Sequence, residues 1–600
     1  MKFCFTILKI LMVNLLILFM INQSTAIVGL SNGTFNSSQH TPWEWSTTQV
    51  ISTDSDFDSV MPTIAVDSFN NLHTVWYDYT NYSDSGIDVD IFYKKYITST
   101  SSWSDTEVIS TESTGNSYYP EIVIDLYNNI HVVWYDYTNY NGSGIDADIF
   151  YKKYNSTTST WSDSIVVSTE STATSLFPKI VVDTQLNLHI IWLDGTDFNG
   201  AGTDNDIFYK RYDDNSSTWG NTEIISSQST LVSTNPSLAL DHNDNLYVVW
   251  EEATDVLGSG ADYDIFMRKF DAIDLVWTGY QLISTESTGS SGDPTITVDK
   301  ASNIHIVWAD NTDILGAGSD SDIFYKKYNA DTGYWESTGL ITQFHNAFSS
   351  NPKIISDDHN NVHVVWDDQA DIGGAGNDID IFYTKYSVDA NSWSSNIMLS
   401  TPSNSNSFCP SITIDGNDFL HVVWYDLTNI DNNGFDFDIF YRSYSGVPYA
   451  PVVRNITPNP AVDSVGITWS LGIGATSYNI YRSTEPIYDL TGLSSYVTTE
   501  NLYYIDHFDE SSYYYYVVTG VNRLGEGGPS NMVYVEVNIP VDPTTIIIED
   551  NQTITVDNFQ TLTEFTGEEV YFPAFWFVSI FISMVILKRR GSRSLLSNNS

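Results

Sequence analysis

Cysteine is almost absent from this chain of 600 residues, which contains only two. Cys4 lies in a segment that we expect to be removed on export, so Cys409 would be the only cysteine of the mature chain. No intrachain disulfide could then form, and we expect Cys409 to be a buried thiol. The fold must therefore be stabilised by packing of the polypeptide.

Basic residues are also scarce. Lysine and arginine number 24 against 75 aspartates and glutamates, which gives a formal net charge of −51. Nucleic-acid binding needs Lys and Arg on the surface that faces the phosphates, so the composition argues against nucleic acid as a partner. The charge favours cations or a basic partner, or simply a highly soluble, salt-adapted surface.

No part of the chain between residues 43 and 447 shows the hydrophobic period of a helix. Instead, this region contains seven copies of a 58-residue repeat. Runs rich in Val, Ile, Tyr, Phe and Trp alternate with Asn, Gly, Ser and Thr, which favours β-strands. In the second unit we predict strands over 120–125, 129–136, 148–154 and 161–168. The invariant positions are Trp76, Trp134, Trp192, Trp250, Trp308, Trp366 and Trp424, and Pro62, Pro120, Pro178, Pro236, Pro294, Pro352 and Pro410.

A second repeated tryptophan indicates how the ends of the repeat are joined. It recurs from Trp103 to Trp393, but the seventh position is Pro451, and the missing copy lies one period before Trp103, at Trp45. The N-terminus would thus supply the outer strand that the last unit lacks, which a closed ring requires and a linear solenoid does not. We predict an all-β fold in which residues 43–447 form a seven-bladed β-propeller, with four strands per blade and the N-terminal strand closing blade seven.

The order of motifs within a unit resembles that of sialidase-like (BNR-repeat-like) β-propellers. Residues 294–299, 303–308 and 323–335 follow that order, although the Asp-box turn that defines the family is degenerate. The resemblance implies the propeller fold. Sialidase chemistry would require three arginines around a carboxylate, a Tyr–Glu nucleophile pair and an Asp acid. The only arginines of the ring fall on third strands of three different blades, so we do not expect that activity. They are Arg211, Arg268 and Arg442.

Residues 449–538 break the repeat and resemble a fibronectin type III domain. The matching elements include Pro451, a strand that ends at Trp469 as the core tryptophan, and alternating Tyr514 and Tyr516. The resemblance implies a spacer or adhesive module. Residues 539–570 are Thr-rich and acidic, as in an extended stalk.

The two ends of the chain predict export and anchoring. Residues 1–26 are typical of a secretory signal peptide, with lysines before an apolar run and small residues at its end. Residues 571–587 form an apolar run that predicts a transmembrane helix, and the basic tail 588–600 would lie in the cytoplasm. A processed sorting signal is the alternative. We therefore expect a single-pass cell-membrane protein whose propeller and fibronectin-like domain are extracellular.

The loop between the second and third strands carries the most regular acidic pattern. An acidic residue ends the second strand, and an Asp-x-Asp pair precedes the third; their oxygens suit a hard cation such as Ca²⁺. The alternative is that these side chains hydrogen-bond the backbone of the loop itself. The residues predicted to bind Ca²⁺ are Asp78, Asp88, Asp90, Asp136, Asp146, Asp148, Asp194, Asp204, Asp206, Asp310, Asp320, Asp322, Asp426, Asp436 and Asp438.

A histidine recurs once per unit, for example at His73 and His131, and Tyr247 replaces it in the fourth unit. Each lies on a strand packed between neighbours, so we expect a hydrogen bond between blades rather than a metal site.

The seven copies differ most in the same long loop, where blades seven, one and two concentrate tyrosines. In a closed ring these blades are neighbours, so the tyrosines would form one patch for a sugar face or a protein side chain. The predicted ligand-binding residues are Tyr77, Tyr79, Tyr82, Tyr135, Tyr137, Tyr140 and Tyr425.

Together these patterns predict a membrane-anchored recognition or adhesion protein that binds a glycan or an extracellular protein. The alternative is a carbohydrate-active enzyme, a glycoside hydrolase or lyase, on a sialidase-like ring. Glu251 and Glu252 break the repeat, but adjacent strand residues point to opposite faces and make a poor acid–base couple. Carboxylates that break the symmetry and converge in a central pocket would favour the enzyme, whereas a flat tyrosine patch would favour binding.

Overall fold

The computed structural model describes residues 25–30, 44–538, 545–548 and 552–555, with gaps at 83–84, 343–346, 372–375, 377, 431–433, 435, 449, 460–463, 471, 473 and 523–524. The predicted membrane span 571–587 and the tail 588–600 lie outside these residues, as do nearly all of the predicted signal peptide and most of the stalk. Within the described ranges, no helix has the length and apolar character needed to cross a bilayer.

The repeat folds into antiparallel sheets of one pattern, and the described residues contain seven of them, named here sheets one to seven in chain order. Strand order follows the chain in sheets one to six and in the first three strands of sheet seven, because short turns connect successive antiparallel strands. The first strands are Ser59–Val66, Ser117–Ile124, Ser175–Val182, Ser233–Leu240, Ser291–Val298, Ser349–Ser356 and Ser407–Ile414. The second strands are Leu72–Asp78, Ile130–Asp136, Leu188–Asp194, Leu246–Glu252, Ile304–Asp310, Val362–Asp368 and Leu420–Asp426.

The third strands are equally regular, and the fourth is broken into two short pieces that pair with the third. The third strands are Asp90–Ile97, Asp148–Asn155, Asp206–Asp213, Asp264–Asp271, Asp322–Asn329, Asp380–Ser387 and Asp438–Ser445. The fourth-strand pieces of sheets one to six are Ser102–Trp103 and Glu107–Val108, Thr160–Trp161 and Ile165–Val166, Thr218–Trp219 and Glu223–Ile224, Val276–Trp277 and Gln281–Leu282, Tyr334–Trp335 and Gly339–Leu340, and Ser392–Trp393 and Ile397–Met398.

Neighbouring sheets pack face to face, and each hydrophobic cluster within the repeat draws on two of them. Val133 and Ile149 of sheet two pack against Ile190, Trp192 and Phe208 of sheet three. The second strand is buried on both faces because a sheet lies on either side of it, and the repeated tryptophan has at most 1% of its surface exposed. This packing stabilises the chain without any disulfide.

The N-terminal segment completes sheet seven. Glu44–Trp45 and Gln49–Val50 pair antiparallel with Asp438–Ser445, in the register Trp45 with Tyr444 and Val50 with Phe440. Ile51 then packs with residues of sheets one and seven in one cluster. The predicted all-β fold of repeated four-stranded propeller sheets is confirmed, and the segment near Trp45 lies where the repeat placed it.

The repeated histidine bonds within its own sheet, so the predicted hydrogen bond between blades is wrong. His73 Nδ1 lies 2.8 Å from the Tyr93 hydroxyl, and His73 Nε2 lies 3.2 Å from Asp67 Oδ2. His73 and Tyr93 are diagonal neighbours on one face of the pair formed by the second and third strands, which brings their side chains together before the next sheet is reached. Tyr247 makes the equivalent bond to Asp241 in sheet four, at 3.1 Å.

A β-sandwich follows the repeat. One of its sheets contains Val453–Asn459, Ser464–Trp469 and Tyr503–His507, and Trp469 is buried against Tyr478. The other sheet contains Thr25–Leu30, Val533–Asn538, Ser512–Asn522, Ser477–Ser483 and Val497–Thr499, and Gly525–Pro529 pairs beside Ser512–Asn522. Beyond it, Thr545–Ile548 pairs with Gln552–Thr555.

Candidate functional site

The first strands converge around a central cavity of about 420 Å³, which is lined by residues of all seven. Each of these strands contains a break in register just before the repeated proline, for example between Val60 and Thr63. At the break, the residue before the proline adopts a left-handed conformation with φ between 46° and 54°. This conformation is uncommon for residues other than glycine and concentrates at functional positions. These seven bulge residues are Met61, Tyr119, Phe177, Asn235, Asp293, Asn351 and Cys409.

On the side of sheets one to three, aromatic rings surround the bulge residues. Tyr119 packs edge to face on Phe177, with ring centroids 4.6 Å apart, and is stacked on Tyr135 at 5.7 Å. Tyr77 contacts Tyr118 at 5.1 Å and Tyr119 at 5.8 Å. We call these five residues the aromatic wall.

On the side of sheets four to six, amides and carboxyls occupy the same positions. Glu251 Oε1 accepts hydrogen bonds from Asn235 Nδ2 and from the backbone N–H of Asp293, both at 2.6 Å. Asp367 accepts a hydrogen bond from Asn351 Nδ2 at 2.9 Å. We call these five residues the carboxylate wall. It faces the aromatic wall across the cavity because the two sets belong to different arcs of one ring.

Burial shifts the acidities of the carboxylate wall. It raises the pKa of Glu251 to about 7, with the charge of Asp293 as a second cause, and the pKa of Asp367 to about 6. Burial also raises the pKa of Asp293, against the opposing effect of Lys353, whose own pKa is lowered by burial. These groups can hold or release a proton near neutral pH, as acids and bases in active sites do.

Charged residues that break the symmetry also line the cavity two positions after the bulge. Glu121 forms an ion pair with Lys179, and Lys353 occupies the equivalent position in sheet six. The other sheets have threonine or serine there, such as Thr63. The cavity therefore carries charged groups on the first strands of sheets two, three and six, beside the apolar repeated prolines that every sheet except the sixth contributes to its lining.

The predicted tyrosine patch divides between the cavity and the sheet interfaces. Tyr77 and Tyr135 belong to the aromatic wall. Tyr79 and Tyr137 are each 43% exposed, and each has its ring centroid 6.2 Å from that of the wall tyrosine two residues before it. Tyr425 of sheet seven packs on Phe408.

The other two predicted tyrosines face elsewhere. Tyr82 packs on Phe92 and Tyr140 on Phe150, each at 5.8–5.9 Å, within the clusters between sheets. The structure thus brings together four of the seven residues around the wall, keeps Tyr425 nearby on sheet seven, and separates Tyr82 and Tyr140 from them.

The acidic residue that ends each second strand is a hydrogen-bond acceptor for its own sheet. The Asp194 carboxylate is fully buried and accepts bonds from Trp192 Nε1 at 2.9 Å, Ser175 Oγ at 2.7 Å, Ser171 Oγ at 3.0 Å and the Thr196 N–H at 2.9 Å. This arrangement corresponds to the alternative that the sequence left open for this position, a carboxylate that shapes the loop. In the part of the chain that the structure describes, no group of three or more His, Cys, Asp or Glu side chains is arranged to hold a metal ion.

Sequence reasoning missed the bulge residues and the carboxylate wall. A signal was present: the residue before the repeated proline changes from Met, Tyr and Phe to Asn, Asp, Asn and Cys, although the proline itself is invariant. Glu251 is an exception to the repeat, but its partners Asn235, on the same sheet, and Asp293, on the next sheet, lie 16 and 42 residues away, so their hydrogen bonds leave no local pattern in the sequence.

No family model matches the sequence, and no curated protein is significantly similar to it. Among solved structures, the polysaccharide lyase Uly1 aligns over 71% of this chain and 98% of the lyase, with 11% identity and a TM-score of 0.43. An α-L-arabinanase from Penicillium chrysogenum in complex with arabinobiose aligns over 70% of this chain and 98% of its own, with 10% identity and a TM-score of 0.36. The Hadza microbial sialidase Hz136 aligns over 63% and 74%, with 9% identity and a TM-score of 0.37. Identities and scores this low assign neither a family nor an activity.

Proposed function

We propose that this chain is an exported, seven-bladed propeller that binds a glycan at its central cavity. The observation that supports the proposal is the aromatic wall facing the carboxylate wall across one opening. Tyrosine rings pack on the apolar faces of sugars, and carboxylates and amides bond their hydroxyl groups. No single sheet supplies both surfaces, so the site depends on the ring being closed.

The charge at the opening favours a neutral sugar over an acidic one. Glu121 and Asp293 line the cavity, and Glu251 and Asp367 hydrogen-bond to lining residues. The two lining lysines, Lys179 and Lys353, do not balance these four carboxyl groups, so a uronic or sialic acid there would meet charge of its own sign. Two of the three ring arginines bond backbone carbonyls of the preceding sheet: Arg268 Nη1 donates to Ile225 O at 2.7 Å, and Arg442 Nη1 to Leu399 O at 2.8 Å. Both hold neighbouring sheets together and do not line the cavity.

A glycan array probed with the full-length chain tests the binding proposal. We expect the combined replacement of Tyr79 and Tyr137 by Ser to weaken binding to any neutral glycan that is retained, because both rings extend the aromatic wall into solvent. Tyr82→Ser is the matched control, because Tyr82 packs between sheets and should affect stability only. Unchanged binding by the Tyr79 and Tyr137 variant would remove the tyrosines from the site.

A carbohydrate-active enzyme is the second candidate. It is supported by Asp293 and Lys353, which line the cavity, and by Glu251 and Asp367, which hydrogen-bond to the lining residues Asp293 and Asn351. A protonated Glu251 could donate a proton to a leaving oxygen while an ionised neighbour accepts one. Release of reducing ends from neutral polysaccharides would show turnover. Glu251→Gln should then abolish turnover and preserve binding; if wild type binds a glycan without cleaving it, recognition alone remains.

The modules beyond the ring support display at a cell surface. We propose that the β-sandwich is a fibronectin type III-like spacer and that residues 571–587 anchor the chain. Expression of a chain ending at residue 570 should release the protein into the medium, whereas the full chain should stay with the membrane fraction. Equal release of both forms would contradict the anchor.

A further inference from the structure

A second set of carboxylates, at the start of the third strand in sheets one to six, has one oxygen with no hydrogen-bond partner. Asp206 is buried, and Ser226 Oγ donates to its Oδ1 at 2.6 Å. Its Oδ2 is inaccessible to solvent and has no partner. The same holds in five other sheets, at Asp90, Asp148, Asp264, Asp322 and Asp380.

In sheets three and five, the first aspartate of the Asp-x-Asp pair has the same property. Asp204 Oδ2 and Asp320 Oδ2 are both solvent-inaccessible and without a partner. The Asp204 carboxylate lies against the backbone of its own loop. Its Oδ1 is only 2.5 Å from the position that a Cβ on Gly202 would occupy, so a side chain at residue 202 would collide with it. Gly202 has a φ of 121°, a conformation available to glycine, and this brings the loop backbone beside the pair.

Such a pair is electrostatically unfavourable when nothing positive is present. Among the described residues, no ion pair involves Asp204, Asp206, Asp320 or Asp322. The nearest lysine of the strand, Lys210, bonds Glu170 at 2.6 Å. A buried carboxylate of this kind needs a cation or a proton.

We propose that the Asp-x-Asp loops of sheets three and five each bind one divalent cation of the Ca²⁺ class, through Asp204 with Asp206 and Asp320 with Asp322. Two carboxylates with neither His nor Cys favour a hard cation over zinc. Fewer than three acidic side chains converge, so loop carbonyls and water complete the coordination. The ion would tie the loop to the start of the third strand and has no part in the sugar chemistry.

Calcium titration of the chelator-treated full-length chain tests this inference. Isothermal titration at pH 7.5 should show bound Ca²⁺, and the melting midpoint should rise when Ca²⁺ is added. Tb³⁺ should give luminescence sensitised by nearby tryptophan. The absence of both heat and a melting shift at millimolar Ca²⁺ in the wild-type chain would overturn the proposal without any variant.

Variants locate the ion. The double change Asp204→Asn with Asp206→Asn should lower the stoichiometry by one ion per chain, and the matching change at Asp320 and Asp322 should remove one more. Asn preserves the shape of the side chain and the oxygen that accepts the Ser226 bond, so the variants should fold. Asp331→Asn, at an exposed turn, is the control and should leave the stoichiometry unchanged. Undiminished stoichiometry in both double variants would contradict the assignment.

Discussion

Ile51 offers a direct test of ring closure, because the chain contains a matched residue one period later. Ile51 and Ile109 are both 1% exposed. Ile51 N donates to Ile439 O at 2.7 Å, and Ile109 N donates to Ile91 O at 2.9 Å. A lysine of the following sheet bonds each carbonyl, Lys94 Nζ at 3.0 Å for Ile51 and Lys152 Nζ at 2.9 Å for Ile109. The two positions differ mainly in that Ile51 joins sheet seven from the opposite end of the repeat.

The two alanine variants should therefore cost similar free energies of unfolding. Ile→Ala in a closely packed core removes three carbon atoms and leaves a cavity, at a cost of about 2–5 kcal/mol. Ile51 packs in the cluster that joins sheets one and seven, and Ile109 in the one that joins sheets one and two. We expect Ile51→Ala and Ile109→Ala to agree within about 1 kcal/mol, since contact environments differ in detail.

Urea unfolding followed by tryptophan fluorescence provides the measurement, with Phe69→Ala as a control because that side chain is 70% exposed. Closure of the ring is refuted if Ile51→Ala unfolds like the wild type while Ile109→Ala is destabilised. Such a result would mean that the segment near Trp45 does not complete sheet seven in solution.

Three further predictions concern polar groups. Asp194→Ala should lower the free energy of unfolding by about 3–5 kcal/mol, because it removes the acceptor of four buried donors. Asp194→Glu should cost far less, because Glu252 fills the equivalent position in sheet four. Equal losses for the two variants in a thermal melt would contradict this. Glu251→Gln should stabilise the fold above pH 8 by up to about 3 kcal/mol and have little effect near pH 5. The pKa of Glu251 is raised to about 7 in the folded chain, so ionisation of Glu251 destabilises the fold at high pH, and this penalty vanishes as the pH falls. A difference in urea stability between variant and wild type that does not vary with pH would refute the prediction. Arg442→Lys should be tolerated, since Lys210 fills the equivalent position in sheet three. Arg442→Ala should lower the melting midpoint, because the hydrogen bonds to Leu399 O and Ser46 O are lost. Equal melting midpoints for the two variants would contradict this.

The sequence predicted the sheets well because the repeat averages out local ambiguity. The predicted strand 148–154 corresponds to Asp148–Asn155, and the predicted strand 129–136 to Ile130–Asp136. The first strand was predicted to begin at Pro120 but begins at Ser117. The residues before the proline pair with the second strand beyond a bulge, and a bulge has no period-two pattern to reveal it.

The site was less predictable than the fold, because its residues do not follow any sequence spacing that is typical of a catalytic or binding motif. Tyr77 and Tyr135 were predicted from the differences between copies, and both pack on Tyr119, which lines the cavity. Tyr82 and Tyr140 come from the same loop, yet they pack on Phe92 and Phe150 because the chain turns back toward the sheet there. Which side of a loop a tyrosine faces depends on the turn and not on the repeat.

The pairing that closes sheet seven also has a consequence for biosynthesis. Ser52 Oγ donates to Asp438 Oδ1 across 386 residues of chain. A ribosome that adds about 5–20 residues per second would need about 20–80 s to deliver the partner of that first-made segment. A polypeptide whose synthesis stops before the third strand of sheet seven would have two unpaired strand edges and could not close into a smaller ring. Production of this protein should therefore be all or none, with truncated chains left to chaperones and proteases.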